Sequence, residues 1–316
     1  MKVIDLINSS KSTAFSFEIL PPLKGNSIQK VYNVIDKLIE FDPKYINITS
    51  HHSEYIYKTL PDGSFQKINI RKRPGSVAIA SAIQNKYGIT AVPHIICKGF
   101  TKDETEYALI DLNFLGVYDL LLLRGDVKTL EAGQKTDIYH EHATDLQQQV
   151  NDFNKGIAID GSAFEANETP FSYGMACYPE KHEEAPNMES DIFYLKEKVK
   201  NGADYLVTQM FFDNEKYYAF VDRCRAEGIT VPIIPGIKPI VFKNQLTVLP
   251  KIFRSDIPEP FATELRKCKT DDEAKAVGVE WCIQQCKDLI AHGVPSLHFY
   301  TMMASDSVYK VAKEVY

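Results

Sequence analysis

Residues Asp119-Leu120-Leu121-Leu122-Leu123-Arg124-Gly125-Asp126 narrow the possible folds more than any other stretch of this chain. Four successive leucines are apolar on both faces, which a strand tolerates when it is covered on both sides, as in a parallel sheet flanked by helices. The run then stops at a cation, a glycine and a carboxylate. Opposite charges at the mouth of a buried strand are costly unless they are paired or used. In parallel α/β proteins the carboxyl ends of strands are where ligands bind. Arg124 and Asp126 therefore mark the centre of a candidate site. A structural ion pair is the plainer alternative, and an exposed Arg-Gly-Asp adhesion tripeptide is another. Fusion to the leucine run predicts burial instead.

The rest of the chain repeats one unit. Apolar strand patterns fall at 14–20, 45–50, 89–97, 119–123, 171–179, 205–212, 232–238 and 296–301. Between them lie helical patterns at 27–41, 74–87, 101–115, 139–154, 189–201 and 214–227, two or three helical pieces within 244–292, and a C-terminal helix. Thr101 with Glu104 forms a capping box, and Gly202, Gly228 and Gly293 stand at helix ends. Eight strand–helix alternations without a series of hairpins predict a (β/α)8 TIM barrel spanning 1–316 as one catalytic domain. A doubly wound open sheet would carry a glycine-rich turn after its first strand, where this chain has Pro21-Pro22. The polar segment 51–73, with the turn Pro61-Asp62-Gly63, reads as a loop insertion, with a hairpin as its simplest form.

Composition removes several function classes. The 316 residues carry a net charge of −6 and no dense Lys/Arg block, which argues against a nucleic-acid surface. No apolar run approaches the roughly 20 residues of a membrane span, and the apolar stretch within Met1–Ser12 is too short for a signal peptide. Six cysteines at irregular spacing match neither a disulfide scaffold nor a metal site, and predict reduced thiols in a cytoplasmic protein.

A barrel brings the polar residues at its strand ends together: Glu18, Thr49, His94, Arg124, Asp126, Tyr178, Gln209, Lys238 and Tyr300. Each has a packing explanation when taken singly: His94 as a core histidine, Gln209 filling a barrel layer, Lys238 reaching solvent with its head group. As a set they would all lose water in one place. Glu18, held between Phe17 and Ile19, is the candidate proton donor, because desolvation raises a carboxyl pKa. Asp126 beside Arg124 is expected to stay ionised, so the two carboxyls are poised for different roles. A glycosidase-type hydrolase using this acid/base pair is the alternative, though the sole tryptophan, Trp281, falls in a late helix rather than on a sugar platform.

Ser16-Phe17-Glu18-Ile19-Leu20-Pro21-Pro22 and Leu123-Arg124-Gly125-Asp126 resemble motifs of the methylenetetrahydrofolate reductase family. Pro93-His94, Ala176-Cys177-Tyr178-Pro179-Glu180 with His182, Thr208-Gln209-Met210-Phe211-Phe212-Asp213, Pro235-Gly236-Ile237 and His298-Phe299-Tyr300-Thr301 follow in the same order over nearly the whole chain. The resemblance implies a flavin-dependent barrel that takes hydride from NADH or NADPH onto FAD and passes it to methylenetetrahydrofolate, giving methyltetrahydrofolate. It implies NADH as the donor, a homo-oligomer, and the catalytic barrel without the C-terminal regulatory domain of eukaryotic members.

By the matching motifs, Glu18 protonates the folate nitrogen. Asp126 lies at the flavin pyrimidine edge, where a negative charge makes the reduced flavin a stronger hydride donor. Gln209, Phe242 and Tyr300 fall at substrate positions. Thr49, His94, Arg124, Gly125, His142, Ala143, Tyr178, His182, Asp191 and Lys198 fall at FAD positions, with Asp191 and Lys198 on one helix face for ribose and phosphate. The chain departs from the family pattern in three places. Lys243, preceded by Phe242, replaces a stacking aromatic; Met302-Met303-Ala304 replaces Leu-Asn-Arg; and His142 stands where tyrosine is usual.

Overall fold

Short strands buried on both faces build the molecule. In the computed structural model, which describes residues 1–51, 54–125, 138–302 and 304–316, the elements run α1 (Val3–Ser9), β1 (Ala14–Ile19), α2 (Gln29–Leu38), β2 (Tyr45–Ile48), β3 (Glu54–Thr59), β4 (Phe65–Ile70), α3 (Ser76–Tyr87), β5 (Thr90–Ile96), α4 (Lys102–Phe114), β6 (Asp119–Leu123) and α5 (Ala143–Asn154). They continue with β7 (Ser172–Cys177), α6 (Met188–Lys200), β8 (Tyr205–Thr208), α7 (Asn214–Ala226), β9 (Ile233–Ile234), β10 (Gly236–Ile237), α8 (Gln245–Phe253), α9 (Glu259–Lys267), α10 (Asp271–Ala291), β11 (Ser296–Tyr300) and α11 (Ser305–Val315). Asp126 and Met303 lie outside the described residues.

The parallel sheet runs β10-β11-β1-β2-β5-β6-β7-β8-β9. Its two ends are halves of one strand. Pro235 has no N–H to continue a ladder, so the strand breaks there. β9 pairs with β8 and β10 pairs with β11, which closes an eight-stranded TIM barrel. Along β1, Phe15, Phe17 and Ile19 join the core between barrel and helices, while Ser16 and Glu18 take the opposite face, into the lumen. The four leucines of β6 divide likewise, with Leu120 and Leu122 in the outer core and Leu121 and Leu123 on the lumen side.

The lumen has a floor that the sequence reading left unassigned. Val3 and Ile7 of α1 pack on Tyr45, Val92, Leu121, Tyr205, Val207 and Ile234. The Val3 N–H donates to Asp119 Oδ1 at 2.8 Å, and burial pushes that carboxyl up to about 6. Water is thereby shut out from one end, and the opposite end carries the strand termini.

β3 and β4 pair in antiparallel register from Glu54↔Ile70 to Thr59↔Phe65, so the 51–73 insertion does contain a hairpin. Its base is tied to the loop after β1 by Lys24 N–H donating to Lys72 O at 2.7 Å and by the Arg73 guanidinium on Pro21 O. The sixth strand is shorter than its apolar pattern suggests. After Gln209 N–H donates to Cys177 O, the carbonyls of Met210, Phe211 and Phe212 accept from Ser255 Oγ, Gln285 Nε2 and Trp281 Nε1 at 2.7, 3.0 and 3.1 Å. Trp281 also lies flat on Phe261, with centroids 4.5 Å apart, so it is committed to packing. Among the described residues no helix is long and apolar enough to cross a membrane.

Candidate active site

The strand register sets Glu18 opposite Tyr300 on one side and Asn47 on the other. Thr301 Oγ1 donates to Glu18 O at 2.6 Å and pins the strand end. The Glu18 carboxyl is 14% exposed, and its Oε2 lies 3.7 Å from His94 Nε2. Burial pushes the carboxyl up to about 8, against a lowering pull from Lys238. Glu18 is therefore a protonated acid at neutral pH. Burial also lowers His94 to about 3, so its imidazole is neutral and the 3.7 Å approach is not an ion pair.

Lys238 does not reach solvent, the packing explanation open to it when taken singly: it is 3% exposed, and burial lowers its ammonium to about 8 while Glu18 pulls it up. It follows β10, whose Gly236 is held against the neighbouring strands. A Cβ on Gly236 would stand 2.4 Å from Thr208 O and 2.5 Å from the Tyr300 ring. Tyr300 donates its hydroxyl to Thr208 O at 2.6 Å, and its pKa is raised well above the usual value by burial. The Tyr300 proton is thus directed away from Glu18.

A second group gathers at the ends of β6 and β7. The Arg124 guanidinium, 18% exposed, forms a forked pair with the Glu184 carboxylate, a partner that sequence reasoning passed over. Tyr178 stands edge-on to His182 at 4.7 Å between centroids, and lies within electrostatic reach of both Arg124 and Tyr300. The Asp191 carboxylate accepts from His182 N–H at 2.8 Å, and Lys198 Nζ donates to Ala176 O at 2.9 Å. Both side chains of that helix face therefore already have partners within the chain. Thr49 Oγ1 is 3.1 Å from His51 Nε2, and Gln209 Oε1 accepts the Met210 N–H at 2.9 Å. His142 is exposed ahead of α5, whose first residue is Ala143, and its N–H donates to Asp145 at 2.9 Å. Phe242 is exposed, and Lys243 is turned toward Asp271 and Lys269 O.

Asn47 is the residue sequence reasoning missed. It is fully buried in the lumen beside Glu18, and neither its Oδ1 nor its Nδ2 has a partner. The period-2 rule on β2 signals it, since Ile46 and Ile48 face outward and Asn47 does not. His94 Nε2 is likewise buried and unpartnered. Orphaned polar atoms of this kind mark where a polar ligand or water would bind. Gly125 adopts φ +81° at the end of β6, with its Cβ position 3.4 Å from Ile96 Cβ and 3.5 Å from Lys98 O. The bend brings backbone rather than a side chain to the barrel mouth. An unpartnered imidazole edge, a bare backbone turn and a guanidinium on one rim fit a flat heterocycle bearing a diphosphate.

Comparison with known proteins decides the family. The family model for methylenetetrahydrofolate reductase matches residues 2–316. The chain belongs to the methylenetetrahydrofolate reductase family. A probable methylenetetrahydrofolate reductase (NADPH) of Caenorhabditis elegans is 30% identical over 99% of this chain and 43% of the relative. A methylenetetrahydrofolate reductase (NADH) 1 of Arabidopsis thaliana is 30% identical over 97% of this chain and 49% of its own length. The chain thus spans about half the length of these two family members. The Escherichia coli 5,10-methylenetetrahydrofolate reductase is 30% identical over 94% of this chain, and 88% of that relative is covered. Among solved structures, an uncharacterized Clostridium thermocellum protein that binds two copies of 5-methyl-5,6,7,8-tetrahydrofolic acid superposes with TM-score 0.56 at 15% identity, over 98% of this chain and 96% of that one. That likeness supports the barrel fold.

The hairpin rises from the carboxyl end of β2, beside the loop that follows Glu18. Because the hairpin forms its own two-stranded sheet, deleting residues 55–67 is expected to change the thermal denaturation midpoint little; a large drop would mean that the hairpin supports the barrel.

Proposed function

We propose that this chain, as a single catalytic barrel, reduces 5,10-methylenetetrahydrofolate to 5-methyltetrahydrofolate with hydride from NADH or NADPH, through FAD held at the rim formed by Thr49, His94, Arg124, Gly125, Tyr178 and His182. The observation that carries this reading is Glu18: a carboxyl kept protonated to about pH 8 by burial, at the open end of a barrel whose other end is plugged. FAD, when bound, supplies the two-electron relay between nicotinamide and folate. The chain itself supplies the proton. Glu18 gives it to the folate nitrogen whose C–N bond opens, and the electrophilic one-carbon unit so exposed accepts the hydride.

His94 stays neutral and offers a ring nitrogen rather than a charge. Arg124 can exchange Glu184, a partner 48% exposed to water, for a diphosphate at small cost. Gln209 holds the substrate at the end of β8, and Asp126 takes the tuning role at the flavin edge by the family motif. The hydrolase alternative loses its sugar platform, because Trp281 is stacked on Phe261. All six cysteines are buried and unpaired, which suits a reducing compartment, and we place the protein in the cytoplasm as a homo-oligomer. Incubation with FAD, NADH and methylenetetrahydrofolate, with product identified by mass, is expected to yield the 5-methyl compound. NADH consumption without a methylated folate would overturn the assignment.

A further inference from the structure

We infer that Lys238 is the counter-cation for the carboxylate that Glu18 becomes on giving its proton to the folate, a reading that rests on the proposed function. Three strands set the geometry. Gly236 and Ile237 of β10 pair with His298 and Phe299 of β11, so Lys238 follows at the level of Tyr300, and Tyr300 is the register partner of Glu18. Ile237 joins the outer core, which turns the next residue toward the lumen. The groups facing Glu18 are then Lys238, Tyr300, His94 and Asn47. Tyr300 is committed to Thr208 O, His94 is neutral, and Asn47 carries no charge. Among the described residues, Lys238 is the charge that acts on Glu18. The other titratable neighbour of Lys238 is the buried thiol of Cys282 on α10.

A buried lysine is expensive, and replacing it with an apolar residue of similar size often costs a fold nothing. Its presence at 3% exposure therefore needs a use. In the proton transfer the O–H bond of Glu18 breaks, an N–H bond forms on the folate, and the electron pair stays on the carboxylate. With both groups protonated beforehand, that step creates an ion pair in a low-dielectric lumen instead of an isolated anion, so the transfer becomes less uphill. Lys238 acts through Glu18 and is a positioning residue for its charge.

The test follows the Glu18 carboxyl directly, by infrared difference titration of the intact protein, with Glu18→Gln subtracted to assign the band. Loss of the cation in Lys238→Met is expected to weaken Glu18 as an acid by tenfold or more, moving its midpoint above the wild-type value of about 8. Lys238→Arg is expected to restore the midpoint. In the folate half-reaction, the fall in rate with rising pH should move the same way, while the rate on the low-pH plateau drops by tenfold or more. Lys238→Gln gives a second neutral replacement should the methionine variant fail to fold. A Glu18 midpoint that stays put in the neutral variants overturns the inference even if folate is reduced. A midpoint that moves in a protein unable to reduce folate overturns the proposed function and leaves the charge pair standing.

Discussion

Glu18→Gln is expected to slow the folate half-reaction by about 10²- to 10⁴-fold, the usual contribution of a positioned general acid, while reduction by NADH persists. The amide keeps the size and polarity of the side chain but has no acidic proton to give. The same variant should be the more stable protein at alkaline pH. Glu18 is raised from 4.5 to about 8 on folding, so the folded state holds a proton that the unfolded chain releases. Stability therefore falls as pH rises through that window, and Gln removes the loss. A gain of about 4 kcal/mol at pH 8, vanishing near pH 4, is expected from denaturant midpoints. Loss of both half-reactions together would make Glu18 structural.

Gly278→Ala is expected to destabilise the fold although helix propensity predicts the reverse. Alanine in a helix interior is favoured over glycine by about 1 kcal/mol. Gly278 lies inside α10, however, where an added Cβ would stand 2.0 Å from Ile240 O and 2.8 Å from Ile240 C. The obstacle is backbone, two residues after Lys238, and it cannot rotate away. Relief requires α10 to move outward or the 238–241 segment to shift, at a cost of about 1–3 kcal/mol or more. The net loss should be about 2 kcal/mol, read as a lower denaturation midpoint, accompanied by a displaced Glu18 titration. A variant as stable as the wild type would mean that α10 does not press on this loop.

Much of the barrel is written in local patterns. The leucines of β6, the Phe/Ser/Phe/Glu/Ile alternation of β1 and the glycines after helices place the strands, and Glu18 stands out because a carboxylate occupies an inward phase between apolar neighbours. The insertion's hairpin follows from its turn residues. What was not legible depends on partners distant in sequence. The sixth strand stops at Thr208 because Ser255, Trp281 and Gln285 satisfy the carbonyls beyond it. α1 plugs the lumen through Asp119, over a hundred positions away, and Arg124 finds Glu184 60 positions on, beyond α5 and β7. Lys238 looked like a rim cation because lysine is rarely buried. Only the closed barrel shows it 3% exposed and within electrostatic reach of Glu18.

One anaerobic titration tests the central claim most directly. The purified protein with FAD is scanned in the visible range, then given NADH, then methylenetetrahydrofolate. The proposed function predicts flavin bands that bleach with NADH and return with the folate, showing both half-reactions in one cuvette. A colourless protein that also fails to take up added FAD would contradict it, and would return Arg124 and its neighbours to a structural role.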